Sequence, residues 1–283
     1  MELHTPGVDA GYSQKDVQEL ARILTGVGLV PPGQLQRPDA RLPPGTVREG
    51  LFQFNPRRHD FGDKVLLGQK IQGSGFDEVE QAWTSWCASR PARFVSRKLA
   101  EYFVADQPPP ALIERMAHTF ERSDGDIAQV LRTLFTSHEL IESAGGKFKD
   151  PYQFVVSAMR LAYDDKPIAN ALPLVNWLNQ LGEPLYGRIT PDGWPLDGAS
   201  WSSSGQLETR FEIARNLGYG NARLFTPEGA SQAAPGFPLL TTPLYYAAIA
   251  PYLSEATRKG LAQANSPQEW NALLLSSPDF TYR

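Results

Sequence analysis

The sequence predicts a mainly α protein: a multi-helix orthogonal or antiparallel bundle with one small β-hairpin and long ordered loops. Three observations lead there. Apolar residues recur at helical spacing in segment after segment, most of them headed by a capping Ser or Asp. Only the stretch 51–67 alternates as a pair of strands would. Glycine and proline number 24 each in 283 residues, which is enough punctuation for long loops between the helices.

Taken in order, Ser13 caps the first helix, with Asp16 in its opening turn and Val17, Leu20, Ala21 and Leu24 along one face. Gly26 or Gly28 stops it, and the proline-rich stretch 31–46 is a loop. Leu51 to Phe54 and Val65 to Leu67 read as the two arms of a hairpin near 51–68, with Asn55 to Asp63 as its tip. Four short helices follow: one through Phe76, Val79, Trp83 and Trp86; one from Pro91 through Phe94, Leu99 and Phe103; one through Leu112, Met116 and Phe120; one through Ile127, Val130 and Leu134. Asp150 and Pro151 form an N-cap and N1 pair that opens the next helix. Another ends at Gly182-Glu183-Pro184. Residues 184–204 and 221–238 read as loops on either side of a helix through Leu207, Phe211, Ala214 and Leu217. Near the end, Ser266-Pro267-Gln268-Glu269 combines an N-cap, an N1 proline and a capping-box acid. The order of elements suggests a helical region over 1–145 and a second, with Gly/Pro/Trp-rich loops, over 146–283, forming one continuous domain. Leu134-Phe-Thr-Ser-His-Glu-Leu140 is echoed by Leu274-Leu-Ser-Ser-Pro-Asp-Phe280, two copies being too few for a solenoid.

Composition narrows the function classes. Lys plus Arg is 27 and Asp plus Glu is 31, a net charge of −4 that argues against a dedicated nucleic-acid binder. A single cysteine, Cys87, excludes an internal disulfide framework and any multi-cysteine metal site, and reads as a buried structural residue. The sequence has no transmembrane run of about 18 apolar residues and no signal-peptide pattern at its start.

The hairpin tip concentrates the chemistry. His59, Asp60 and Lys64 are the catalytic candidates: Asp60 or Asp63 would orient the imidazole as an acid or base, and Lys64 or Arg58 would neutralise an anion. The same side chains also suit an ion-paired loop that only holds its own backbone. His4 lies beside Glu2 as His59 lies beside Asp60, so His4, His59, Glu2 and Asp60 together would offer two imidazoles and two carboxylates to a divalent metal. His118 and His138 read as structural. A second candidate is the loop Thr190 to Trp201, where Trp194 and Trp201 form a stacking platform for a sugar or peptide, or else pin the loop to its core. Arg210 follows on the next helix and would pair with Asp192 or Asp197; with Arg58 it completes the binding candidates. No nucleotide-binding fingerprint or nucleophile elbow is present.

Several short motifs follow one another in a specific order: Glu2-Leu-His-Thr-Pro-Gly-Val, Gly11-Tyr-Ser-Gln-Lys-Asp-Val, Ala21-Arg-Ile-Leu-Thr-Gly26, His59-Asp with Lys64 and Leu67-Gly, Pro91-Ala-Arg-Phe with Lys98-Leu, and Gly193-Trp-Pro with Trp201 and Arg210. Over essentially its whole length the chain resembles the bacterial domain of unknown function 1800 family. That resemblance implies a predominantly helical fold, a periplasmic or exported location for full-length members, and a sulfatase-like protein encoded nearby as partner. It also implies that Glu2 to Thr5 is normally interior, so the chain is expected to be the C-terminal part of a longer protein whose N-terminal helical half is missing. It transfers no activity, cofactor or catalytic residue. Two function classes remain: an envelope-associated helical scaffold or binding protein acting with a partner, and a metal-dependent or acid-base hydrolase-like enzyme using the His59-Asp60 loop.

Overall fold

Capping at the first helix shows how closely local sequence dictates the elements. Ser13 accepts from the Asp16 amide through its hydroxyl, and the Asp16 carboxylate accepts from the Ser13 amide at 2.8 Å, a reciprocal box that starts helix α1, Gln14–Ile23. The computed structural model describes residues 11–30, 33, 42–87, 91–163, 166–225 and 236–283, with side chains omitted over 85–87. Glu2, His4 and the Cys87 side chain therefore lie outside the described residues. The protein is mainly α, with 13 helices among them.

The described residues fall into two compact units, one within Met1–Arg97 and Glu114–Leu131, the other within Lys98–Ile113 and Arg132–Arg283. In the first, strands β1 (Val27–Leu29), β2 (Val47–Glu49) and β3 (Phe52–Phe54) form an antiparallel sheet in the order β1-β3-β2. Strands β4 (Val65–Leu66) and β5 (Gln69–Lys70) form a separate two-stranded ladder. This corrects the hairpin expected between 51–54 and 65–67. Phe52–Phe54 turns back on 47–49 through Gly50, which takes φ +55, and Val65–Leu66 turns forward through Leu67 and Gly68, both at positive φ, as a two-residue hairpin requires. Val47-Arg-Glu49 and Val27-Gly-Leu29 are too short and too close to turn residues to register as strands by pattern. Helix α1 caps the second ladder with its polar face: Asp16 accepts the Leu67 amide at 2.6 Å and Glu19 the Val65 amide at 3.2 Å. Its other face packs Leu20 and Ile23 with Leu66, Ile71 and Ala82, the last from helix α2, Phe76–Cys87. Only glycine serves at residue 26, where φ is +88 and a Cβ would stand 2.7 Å from the Asn55 carbonyl oxygen.

Helices α3 (Pro91–Phe103), α4 (Pro110–Arg122) and α5 (Ile127–Phe135) come next in the chain, then α6, His138–Glu142. The second unit's core joins α7 (Pro151–Tyr163), α8 (Leu172–Gln180), α9 (Ser204–Gly218), α10 (Pro243–Ala248), α11 (Glu255–Leu261), α12 (Pro267–Ser276) and α13 (Pro278–Thr281). Phe154, Val155, Leu181, Ile213, Leu217 and Leu274 are wholly buried there. The sequence echo corresponds to a repeated corner. Ser137 Oγ donates to the Leu134 carbonyl at 2.7 Å and accepts from the Leu140 amide at 3.3 Å; Ser277 Oγ does the same with Leu274 at 2.7 Å and Phe280 at 3.2 Å. One hydroxyl thus closes one helix and caps the next. His138 begins α6, and its Nδ1 lies 3.2 Å from Glu142. The chain downstream of each corner meets the other: Lys147 and Arg283 exchange backbone hydrogen bonds, and Lys149 donates its amide to Thr281.

Replacing Ser277 with Ala removes a cap and strands a buried carbonyl, so it is expected to lower unfolding free energy by about 1–2 kcal/mol in urea denaturation with the slope unchanged.

Candidate functional site

His59 follows a short 3-10 turn, Pro56–Arg58, whose N-cap Asn55 accepts from the Arg57 amide. Arg58, a binding candidate, is exposed at the end of that turn, whereas the His59 ring is fully enclosed. Phe54 and Phe61 meet the ring edge-on, with centroids 5.1 and 4.8 Å away. His59 Nδ1 stands 2.7 Å from the Thr25 carbonyl oxygen, which can only accept, so Nδ1 carries the proton. Nε2 faces Glu78 Oε2 at 3.4 Å without a hydrogen bond. Lys64, also enclosed, donates to the same Glu78 oxygen at 2.6 Å, to the Gly62 carbonyl at 3.1 Å and to the Asp60 carbonyl.

Asp60, expected to orient His59, instead binds Arg22, whose Nε and Nη2 lie 2.8 and 3.3 Å from its two oxygens. That fork, with the Gly62 amide, holds the Asp60 carboxyl far below the usual carboxylate range. Lys64 neutralises Glu78 rather than an external anion. The three catalytic candidates are neighbours in space, but each is engaged by other parts of the same unit. Glu78 is the residue the sequence reading missed. Its signal was a carboxylate between Phe76 and Val79 in the first turn of an apolar helix face. Among the described residues, no group of three or more His, Cys, Asp or Glu is placed to hold a metal ion.

In the second unit the tryptophan loop is pinned from beneath. Trp201 is buried and donates its indole N–H to the Pro195 carbonyl at 2.9 Å, and the half-buried Trp194 leans on it at 6.1 Å with a 59° tilt. Buried Lys147 donates to Asp106 at 2.6 Å and to the Leu196 carbonyl at 2.8 Å; Asp106 also accepts the Gly198 amide at 2.7 Å. A Cβ at residue 198 would lie 2.8 Å from Phe148 Cβ, so the loop presses down where glycine allows it. Arg210 does not reach the acids expected for it: Asp192 pairs with Arg188 at 2.6 Å, and Asp197 accepts from Ser200. Arg210 is buried instead, donating to the Lys149 carbonyl at 2.7 Å with its guanidinium 4.6 Å from the Phe148 ring and 4.9 Å from Phe154.

A family model described as protein of unknown function (DUF1800) matches residues 1–282. The chain belongs to the DUF1800 family. The match spans essentially the whole chain and lends no support to the expected missing N-terminal half. Searches among curated proteins and among solved structures give no match.

In this DUF1800 chain the segment Lys147-Phe-Lys-Asp-Pro151 gathers a second charged cluster that the sequence reading took only as a helix start. Lys149 donates to the Phe280 carbonyl at 2.6 Å and lies over that ring; burial, with Arg210 and Arg283 nearby, pushes its ammonium down to about 7. Glu183, just ahead of the tryptophan loop, accepts the Tyr152 amide at 3.0 Å, and burial drives its carboxyl up to about 7. Burial raises Asp150 as well, while Arg210 is lowered to about 10. Arg210 Nε and Nη1 and the Gln153 side-chain oxygen are buried without protein partners.

The raised Glu183 value fixes a direction for stability. A carboxyl whose folded pKa exceeds its unfolded one contributes fully below the unfolded value and loses that contribution as pH rises through the folded value. Glu183→Gln keeps an acceptor for Tyr152 without the charge. It is therefore expected to gain about 1–2 kcal/mol over the parent between about pH 5 and about pH 8, as read by thermal or urea unfolding.

Proposed function

We propose that this DUF1800 chain is a helical scaffold or binding protein of the bacterial envelope that acts with a partner. The observation that carries this reading is the outer half of the loop that starts at Pro184. Leu185, Tyr186 and Ile189 expose apolar side chains there, with 49% of Leu185 and 97% of Ile189 accessible. The loop beneath them is ordered: Gly187 donates its amide to the Pro184 carbonyl, Arg188 bonds Asp192 and lies 5.5 Å from the Trp194 ring, and Lys147 and Asp106 anchor residues 196 and 198. Apolar groups held out on an anchored loop supply contact area with little ordering cost on binding. Tyr186 takes φ +56 at the third position of the turn closed by the Gly187–Pro184 hydrogen bond, which leaves its side chain fully accessible.

The hydrolase-like alternative needs His59, Asp60 and Lys64 within reach of a substrate. Support for that is weak, because the His59 ring and the Lys64 ammonium are enclosed and Asp60 is bound to Arg22. A scaffold needs only that these groups hold the loops in place. No helix among the described residues is long and apolar enough to cross a membrane. The family resemblance directs the search for a partner toward the sulfatase-like protein encoded nearby.

Tyr186→Ser together with Ile189→Ser is expected to weaken association with that protein at least about tenfold, as two exposed anchors would, while leaving melting temperature unchanged. Isothermal titration of the purified pair reads the affinity. Undiminished binding by the double variant would remove this loop from the interface.

A further inference from the structure

The Lys64–Glu78 contact in the first unit is enclosed, short and adjacent to an imidazole nitrogen. Lys64 Nζ sits 2.6 Å from Glu78 Oε2, with side-chain exposures of 1% and 6%. The three acceptors around the ammonium define its hydrogens: two point to the Asp60 and Gly62 carbonyls and the third to the Glu78 carboxylate. Moving the third proton onto the carboxylate leaves a neutral amine beside a neutral acid, with the other two hydrogens still held by backbone carbonyls. His59 Nε2 lies 3.4 Å from the same oxygen without a hydrogen-bond partner, while Nδ1 is held at the Thr25 carbonyl. Phe54 and Phe61 close over the imidazole.

We propose that Lys64 and Glu78 condense to form an intramolecular amide crosslink, with His59 relaying the proton. Lys64 Nζ attacks Glu78 Cδ. His59 Nε2 takes the proton released from nitrogen and returns it to the departing hydroxyl. The Cδ–O bond breaks, the N–Cδ bond remains, and one water leaves; nothing is oxidised or reduced. Two effects drive the step. Two partners fixed in one enclosed site have effective molarities on the order of 10⁵ M or more. A neutral amide also removes two enclosed charges, at the cost of one of the two hydrogen bonds to the Asp60 and Gly62 carbonyls. The product ties the loop after β3 to helix α2 covalently, and it stands independently of the exposed-loop reading above.

Intact mass spectrometry of the folded 283-residue chain tests this, with allowance for removal of the initiator methionine. The chain is expected to be lighter than its sequence by one water, and proteolysis is expected to yield a branched product joining the peptides of Lys64 and Glu78. Lys64→Arg should restore the full sequence mass. Glu78→Gln should be lighter than its own sequence by one ammonia, because a carboxamide condenses at the same carbon. His59→Phe should slow the mass change at least about tenfold in a time course after refolding, the low end of what a positioned acid-base group supplies. A parent chain at full sequence mass overturns the proposal whatever the variants do. Water loss that persists in Lys64→Arg also overturns it, since dehydration would then lie elsewhere, as at Asp192-Gly193 or Asp197-Gly198.

Discussion

A backbone carbonyl that leaves water inside a loop has to find a donor, and this protein has many such carbonyls because its helices are short and its connections long. It meets the need with buried cations. Lys64 holds the carbonyls of residues 60 and 62, Lys147 that of Leu196, Lys149 that of Phe280 and Arg210 that of Lys149. Each long side chain carries its apolar stem through the core and spends its charge on irregular backbone. Lys64 satisfies two carbonyls at once and so fixes the path of the turn between residues 60 and 62. Removing one of these cations would free a segment rather than a single contact.

The cations in turn need counter-charges, and this explains the arrangement of the acids. Glu78 answers Lys64, Asp106 answers Lys147, and Asp150 and Glu183 lie within electrostatic reach of Arg210. The second unit resolves its charges less completely than the first. There burial leaves two carboxyls raised and one ammonium lowered toward neutrality, and an arginine with two unmatched donors. Charges balanced this narrowly are where pH acts first on a fold.

The helices could be read from the sequence because their signals are local. The Ser13-Asp16 box, the Asp150-Pro151 start and the Ser266 cap operate within three or four residues of themselves. The sheet could not, because its pairing is decided between strands of three residues, and a three-residue strand carries no period to count. The loop bearing His59, Asp60 and Lys64 was identifiable as a cluster of chemistry-bearing residues, yet their partners were not. Thr25 and Arg22 come from 34 and 38 residues away, and Glu78 follows Lys64 by 14. Lys149 and Glu183 were hidden more thoroughly, since a lysine before an N-cap and a glutamate before a proline look like ordinary surface punctuation until burial is known.

The pairing of residues 147–149 with 281–283 also bears on how the chain assembles. The Lys149 ammonium donates to Phe280 across a separation of 131 residues, and the Arg283 guanidinium reaches the Tyr102 carbonyl across 181. Contacts of such range close large loops before they return any favourable energy, so they form slowly and late. Until residues 281–283 pair with it, the 147–149 edge stays open and its lysines remain in water, so this seam closes only after the helices it joins have formed.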